Sequence, residues 1–142
     1  WGFPGALGVK CALPDAPVLC FAGDGCFYYH LAELETAARY GINLVVVANN
    51  NSALNQEIPH LDRAYGGDPD ERGREMWGFS NVNFAKVAES LGCVGMRVER
   101  PAELPGALEQ ALAARRPVVI DAVTDHVRFR RRPGPGFDQE TI

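Results

Sequence analysis

Two short polar segments carry the residues of this sequence that are best suited to chemistry. Asp24 lies between Gly23 and Gly25, and three consecutive asparagines occupy residues 49–51. Glycines beside a carboxylate let the backbone come close to a ligand, and the N–H groups that begin a following helix favour a phosphate. A carboxylate repels a phosphate unless a hard divalent cation lies between them, and Mg²⁺ binds carboxylate and amide oxygens. The two segments together predict a site for Mg²⁺ and a phosphate group.

Both polar segments follow apolar runs of strand length. Residues 18–22 and 44–48 are apolar without alternation, which is typical of strands that are covered on both faces. Helical spacing of apolar residues predicts a helix over residues 28–40, and a strand–helix–strand unit of this length is parallel and right-handed in nearly all known cases. Ligands of open α/β sheets bind at the carboxyl ends of the strands. We therefore expect the two polar segments to meet at one edge of the sheet.

The rest of the chain continues the alternation of helices and strands. The pattern predicts an α/β fold, a parallel sheet with helices on both faces. The further predicted elements are helices over residues 4–12, 84–91 and 104–112 and strands over residues 94–98 and 117–123. Residues 59–82 show no periodicity and predict a long loop that is either a lid or mobile. Residues 1–125 are expected to form one domain, and the Arg-, Pro- and Gly-rich residues 126–142 a tail that does not order itself.

The composition excludes several classes of protein. The 142 residues include 14 basic and 18 acidic side chains, a formal net charge of −4, which argues against nucleic-acid binding. The apolar run over residues 44–48 is far shorter than the ~20 residues of a membrane-spanning helix, so we expect no membrane segment. The four cysteines form no CxxC pair. That usage favours a reducing compartment, and we expect a cytoplasmic protein.

The two polar segments and their surroundings resemble thiamine diphosphate-dependent enzymes. The Gly-Asp-Gly sequence at residues 23–25, followed after a second apolar strand by Asn50-Asn51, is similar to the motif with which that family binds its cofactor. Residues 1–8, WGFPGALG, and residues 33–41, ELETAARYG, resemble the group of acetolactate synthase and benzoylformate decarboxylase. The resemblance implies the fold of the pyrophosphate-binding domain, truncated at its N-terminal end, and the cofactors thiamine diphosphate and Mg²⁺.

Residue by residue, this resemblance implies roles for both segments. Mg²⁺ would be bound by the Asp24 carboxylate, the Asn51 side-chain oxygen and the Ala53 backbone carbonyl. The residues expected to contact the cofactor are Gly23, Asp24, Gly25, Cys26, Asn51, Ala53 and Leu54. Because the three asparagines are consecutive, Asn50 replaces Asn51 as the ligand if the loop is one residue shorter than an ungapped count implies.

Two positions depart from the family pattern. Cys26 stands where the family often has a hydroxyl residue, and Ala-Leu-Asn at residues 53–55 replaces a more usual Gly-Tyr-Gly-like segment. The implied binding of the diphosphate by the backbone N–H groups of Gly25 and Cys26 does not depend on either side chain. The departures therefore leave the substrate, rather than the cofactor, open.

The function that the resemblance implies is that of part of an enzyme. The chain would be the Mg²⁺-dependent cofactor-binding domain of an acetolactate synthase-like decarboxylase or carboligase that acts on a 2-oxo acid. The family activates its cofactor with a glutamate from a pyrimidine-binding domain across a dimer interface. We therefore expect that domain as a partner, on this chain or another, a homo-oligomer, and no catalysis by these residues alone. The alternatives are a non-catalytic module that binds a diphosphate or serves assembly, and an ordinary nucleotide-binding α/β domain.

Overall fold

A four-stranded parallel sheet organises the computed structural model, which describes residues 1–65 and 71–125. Its strands are β1 (Leu19–Gly23), β2 (Val45–Asn50), β3 (Val94–Val98) and β4 (Val118–Val123). The strand order is β1-β2-β4-β3, and all the neighbouring pairs are parallel. The sheet and its direction agree with the prediction, and β2 continues into the asparagines to end at Asn50.

Seven α-helices connect and cover these strands within the described residues. They are α1 (Gly2–Ala12), α2 (Asp24–Tyr28), α3 (Glu33–Tyr40), α4 (Ile58–Ala64), α5 (Glu71–Trp77), α6 (Phe84–Ser90) and α7 (Leu104–Ala113). A short 3₁₀ turn, Pro101–Glu103, precedes α7.

The sheet carries an apolar layer on each face because successive strand residues point to opposite sides. The residues that face one side include Val46, Ala48 and Val119. Helices α1, α2, α3 and α6 supply the side chains that cover this layer. The residues that face the other side include Val45, Val47, Val118 and Ile120. They pack with residues of α7, so the prediction of helices on both faces is confirmed.

Strand β1 differs from its prediction. Cys20 and Ala22 are buried, whereas Leu19 and Phe21 are 48% and 69% exposed. The reason is the position of the strand, because β1 lies at the edge of the sheet and α7 packs over β3 and β4 instead. The prediction from the apolar run, that β1 is covered on both faces, is therefore wrong: among the described residues, one face of β1 is largely exposed.

The helix predicted over residues 28–40 begins earlier and is divided. Asp24 lies in the first turn of α2, which follows β1 without a loop, and α3 begins at Glu33. The backbone N–H groups of residues 33–35 each donate to the carbonyl three residues earlier, a tighter pattern than that of an α-helix. The start of α2 at Asp24 brings the Gly-Asp-Gly segment directly onto the end of the sheet.

The predicted loop over residues 59–82 contains helices α4 and α5, so that prediction is wrong over their lengths. Both helices are seven residues long, and most of their described side chains are exposed, Trp77 being buried. A short exposed helix needs no apolar stripe, which is why periodicity did not indicate them.

The expected tail over residues 126–142 lies outside the described residues. Among the helices of residues 1–65 and 71–125, none combines the length and the apolar composition needed to cross a membrane.

Two glycines provide a matched test of how tightly the sheet packs. A Cβ added to Gly95 on β3 would lie 2.1 Å from the Ala85 carbonyl oxygen of α6, whereas one added to Gly106 on α7 would meet nothing within 4 Å. We expect Gly95→Ala to lower the free energy of unfolding by about 1–3 kcal/mol through overpacking. Gly106→Ala should raise it by roughly 0.5–1 kcal/mol because alanine favours the helix. Urea denaturation measures both, and a Gly95→Ala chain as stable as the parent would contradict the packing.

Candidate functional site

The carboxyl ends of β1 and β2 bring the two polar segments together. The strands pair in a register that sets Gly23 beside Asn49, so the residues that follow each strand lie at the same edge. Gly23 is extended and caps α2, which places Asp24 in the first helical turn. Asn51 is the first residue after β2. The expectation that the segments meet is confirmed.

Asp24 is a buried carboxylate whose partners are backbone groups. It is only 2% exposed. Oδ1 accepts a hydrogen bond of 2.7 Å from the N–H of Gly25, and Oδ2 accepts one of 3.3 Å from the N–H of Ala53. No ion pair to a Lys, Arg or His of the described residues accompanies them. Burial raises the pKa of the Asp24 carboxyl, and the backbone hydrogen bonds offset this only in part.

Asn51 shares a hydrogen-bond donor with Asp24. Its Oδ1 accepts from the Ala53 N–H at 3.1 Å, the same group that donates to Asp24 Oδ2. The carboxylate oxygen and the amide oxygen therefore lie on one side of a single backbone nitrogen, and Asn51 is only 9% exposed. Ala53 joins the two side chains through its N–H. The role of its carbonyl as a third metal ligand stays a prediction.

The other two asparagines have different partners. Asn50 Nδ2 donates to Asp121 Oδ1 at 2.8 Å and to the Val82 carbonyl at 2.9 Å, which uses both of its amide hydrogens. Asn49 Oδ1 accepts from the Thr124 hydroxyl at 2.9 Å. The structure therefore brings Asn51, and not Asn50, to the Asp24 carboxylate.

The loop after Asn51 is held by its backbone. Ser52 has a φ of +55°, a left-handed conformation that costs a non-glycine residue about 1 kcal/mol or more. Residues 52–54 run antiparallel to residues 77–79, with an isolated bridge between Ala53 and Gly78. Two backbone hydrogen bonds of 2.7 Å flank the bridge. This pairing fixes the turn that directs the Ala53 N–H toward the two side-chain oxygens.

Gly25 lies in close contact with the loop. A Cβ at this position would be 2.6 Å from Leu54 Cδ2 and 3.4 Å from the Phe79 ring, so only glycine fits without a shift. A mostly apolar cavity of about 220 Å³ adjoins it, and Tyr28 and Tyr29 complete the lining. Two predicted cofactor residues, Gly25 and Leu54, thus lie in one wall beside Asp24.

The remaining predicted residues of the first segment are less confined. A Cβ on Gly23 would meet no atom within 4 Å, so this glycine leaves open space at the end of β1. Cys26 is exposed. The Gly25 N–H, which we expected to bind the diphosphate, donates to Asp24 in this structure.

Sequence reasoning missed a second buried carboxylate, Asp121. It is fully buried in β4 and accepts hydrogen bonds from Asn50, from the Phe84 N–H at 3.0 Å and from Arg97 Nη1 at 2.6 Å. The signal that could have found it is its place in the strand, since it is the one acid in the otherwise apolar segment VVIDAV. An acid that is buried in such a strand requires compensating partners.

The arrangement can hold a cation that prefers oxygen. Within residues 1–65 and 71–125 no cluster of three or more His, Cys, Asp or Glu side chains could bind a metal. The donors at the candidate site are instead one carboxylate and one amide oxygen. This donor set fits a hard ion such as Mg²⁺, which takes few protein ligands and completes its shell with phosphate and water oxygens. The residues present therefore fit the metal that the resemblance implies.

Comparisons with known proteins relate the chain to enzymes that use thiamine pyrophosphate. Residues 1–122 match the family model described as thiamine pyrophosphate enzyme, C-terminal TPP binding domain. An acetolactate synthase large subunit from Haemophilus influenzae is 39% identical over 120 residues, 84% of this chain and 20% of that protein. The acetolactate synthase isozyme 3 large subunit of Escherichia coli is 35% identical over 145 residues, 98% of this chain and 25% of that protein.

A solved structure shows the same fold. The thiamine diphosphate-dependent 4-hydroxybenzoylformate decarboxylase of Rhodococcus jostii RHA1 superposes with a TM-score of 0.76 at 28% identity, over 87% of this chain and 23% of that one. The chain thus spans 20% and 25% of the length of the two curated relatives. On the family model and these relatives, the chain belongs to the thiamine pyrophosphate enzymes and corresponds to their C-terminal TPP-binding domain.

Proposed function

We propose that the chain binds thiamine diphosphate through Mg²⁺ held by Asp24, the Asn51 side-chain oxygen and the Ala53 carbonyl. The observation that carries the proposal is a buried carboxylate that shares one N–H group with an amide oxygen and has no basic partner among residues 1–65 and 71–125. A buried charge costs several kcal/mol unless an opposite charge compensates it. A divalent cation at these oxygens supplies that charge, and its remaining positions suit a diphosphate.

The neighbouring residues have complementary roles in this proposal. The open space at Gly23 and the exposure of Cys26 leave room for phosphate oxygens at the start of α2. Leu54 packs against Gly25 and forms an apolar wall beside the polar site. When bound, the thiazolium ring of the cofactor supplies a carbon nucleophile and an electron sink for the decarboxylation of a 2-oxo acid. The residues of this chain hold and orient that group.

The relatives also support a proposal for the larger assembly. We propose that the chain functions in an acetolactate synthase-like decarboxylase or carboligase, a cytoplasmic homo-oligomer whose pyrimidine-binding domain supplies the activating glutamate. The two acetolactate synthase relatives, each much longer than this chain, support this assignment. The 142 residues alone should bind the cofactor without decarboxylating a 2-oxo acid.

Calorimetric titration with thiamine diphosphate tests the binding proposal. We expect binding in Mg²⁺ that weakens at least about ten-fold in EDTA, because the metal carries the attraction between carboxylate and diphosphate. Asp24→Asn should weaken binding in Mg²⁺ by a similar factor. Asp15→Asn removes the same charge from an exposed turn and should bind as the parent does. Equal binding with and without metal would favour a metal-independent diphosphate module, and turnover of pyruvate by the chain alone would refute its proposed inactivity.

The two asparagines can be distinguished by the group that each role requires. A ligand at residue 51 needs an oxygen, so Asn51→Asp should keep Mg²⁺ binding within a few-fold of the parent. Residue 50 needs an amide donor toward Asp121 and Val82. Asn50→Asp sets two carboxylates together and should lower the free energy of unfolding by about 2 kcal/mol or more. Metal titration measures Mg²⁺ binding by both variants, and urea denaturation measures their stability. Metal binding kept by Asn50→Asp, with stability lost by Asn51→Asp, would assign the ligand to Asn50.

The raised pKa of Asp24 predicts how the metal-free chain responds to pH. The folded chain holds the proton more tightly than the unfolded chain, whose carboxyl has a pKa of about 3.9. As pH rises from about 4, the folded state therefore loses stability relative to an Asp24→Asn chain, until pH exceeds the raised value. Thermal unfolding of both proteins across this range should show a widening difference in Tm. A constant difference would mean that burial does not perturb this carboxyl.

A further inference from the structure

Asp121 accepts hydrogen bonds from two segments that frame the candidate metal loop. Oδ1 accepts from the Asn50 side chain, which ends β2 immediately before Asn51. Oδ2 accepts from the Phe84 N–H, which begins α6. One carboxylate therefore ties the last residue of β2 to the start of α6. Phe84 precedes Asp121 by 37 positions in the sequence.

The segment that leads into α6 also supports the loop from its other side. The carbonyl of Val82 accepts the second amide hydrogen of Asn50. Residues 77–79, which lie shortly before Val82 in the chain, form the antiparallel bridge to residues 52–54. The loop that carries Asn51 is thus held at its beginning through Asn50 and along its length through a segment that Asn50 and Asp121 anchor.

Arg97 supplies a positive charge beside this anchor. Its Nη1 lies 2.6 Å from Asp121 Oδ2, and its Nε lies 2.8 Å from Glu99 Oε1 near the surface. The ion pair compensates the charge that burial would otherwise penalise. A carboxylate held in this way presents acceptor oxygens only, and it fixes the amide group of Asn50 as a donor.

We infer that Asp121 is a positioning residue that selects which asparagine faces the metal. By taking the amide of Asn50, it commits that side chain to β4 and leaves the next residue, Asn51, to share the Ala53 N–H with Asp24. The hydrogen bonds of Asp121 within the described residues go to Asn50, Phe84 and Arg97 and not to the proposed ligands, so it acts through Asn50. This inference rests on the proposed function, since it concerns the geometry of the Mg²⁺ site.

The variant Asp121→Asn tests the inference with little change of shape. An asparagine at this position can still accept from Phe84 and Arg97 through its oxygen, but its amide then faces the amide of Asn50, donor against donor. We expect the Mg²⁺ concentration for half-maximal thiamine diphosphate binding to rise at least about ten-fold, because Asn51 loses the support of Asn50; this is the lower end of what changes in the outer shell of a metal site cost. The measurement is made well below the Tm of each protein. Glu99→Gln removes the negative charge of the outer partner of Arg97 and should leave this concentration unchanged.

A second variant covers the case in which Asp121→Asn does not fold. Asn50→Ala leaves Asp121 its bonds to Phe84 and Arg97. It removes the hydrogen bonds that join residue 50 to Asp121, Val82 and Ser52. It should raise the same Mg²⁺ concentration, although Asn50 is not a ligand. In a Mn²⁺ titration followed by NMR, the backbone signals of Asn51 and Ala53 should broaden at lower metal concentration in the parent than in either variant.

The outcomes separate the inference from the proposed function. A parent chain that shows neither metal-dependent cofactor binding nor Mn²⁺ broadening refutes the proposed function, and the inference with it. If the parent binds the cofactor and the variants have a lower Tm but the parent's Mg²⁺ dependence, the inference alone is overturned. Asp121 is then a structural residue. A parent that binds, with variants whose Mg²⁺ requirement rises at temperatures where they are folded, supports both.

Discussion

The Asp24 carboxylate is removed from water at the end of β1, and its hydrogen bonds come from backbone N–H groups of the residues around it. Those groups orient the carboxylate without neutralising it, and burial raises its pKa. A protein that keeps such a group carries a cost in stability at neutral pH unless a cation arrives. The direct passage from β1 into α2, the contact of Gly25 with the loop and the turn at Ser52 all serve to hold this carboxylate beside an amide oxygen.

The two buried acids of the sheet show how surroundings divide one chemical group between two tasks. Asp121 lies in a central strand, where Arg97 from the neighbouring β3 lies in register with it and supplies a positive charge. Asp24 follows the edge strand β1, and the described residues give it donors but no positive charge. Compensation within the fold makes Asp121 an anchor. Its absence makes Asp24 the group with an electrostatic demand that a ligand can meet.

The sequence was sufficient for the features that follow from local pattern. Apolar runs and helical spacing indicate the four parallel strands and the helices on both faces, and the polar residues after two strands indicate the site. Exposure of Leu19 and Phe21 could not be predicted in this way, because it depends on the strand order and on where α7 packs. The short helices α4 and α5 escaped prediction because they bury little. Asp121 was visible as an isolated acid, but its partners come from positions far away in the chain.

The run of three asparagines shows most clearly where local information ends. Identical side chains in consecutive positions give a pattern no means to rank them, and counting along a resemblance assumes a loop length. The structure separates them by their partners, since Asn49 meets Thr124, Asn50 meets Asp121 and Asn51 lies beside Asp24. The partners of Asn49 and Asn50 belong to β4 and the residue that follows it, whereas Asp24 follows β1. The alternation of side chains along an extended backbone allows neighbours to have unlike environments. The role of each asparagine is therefore a property of the assembled sheet, set by which partner lies within reach of its side chain.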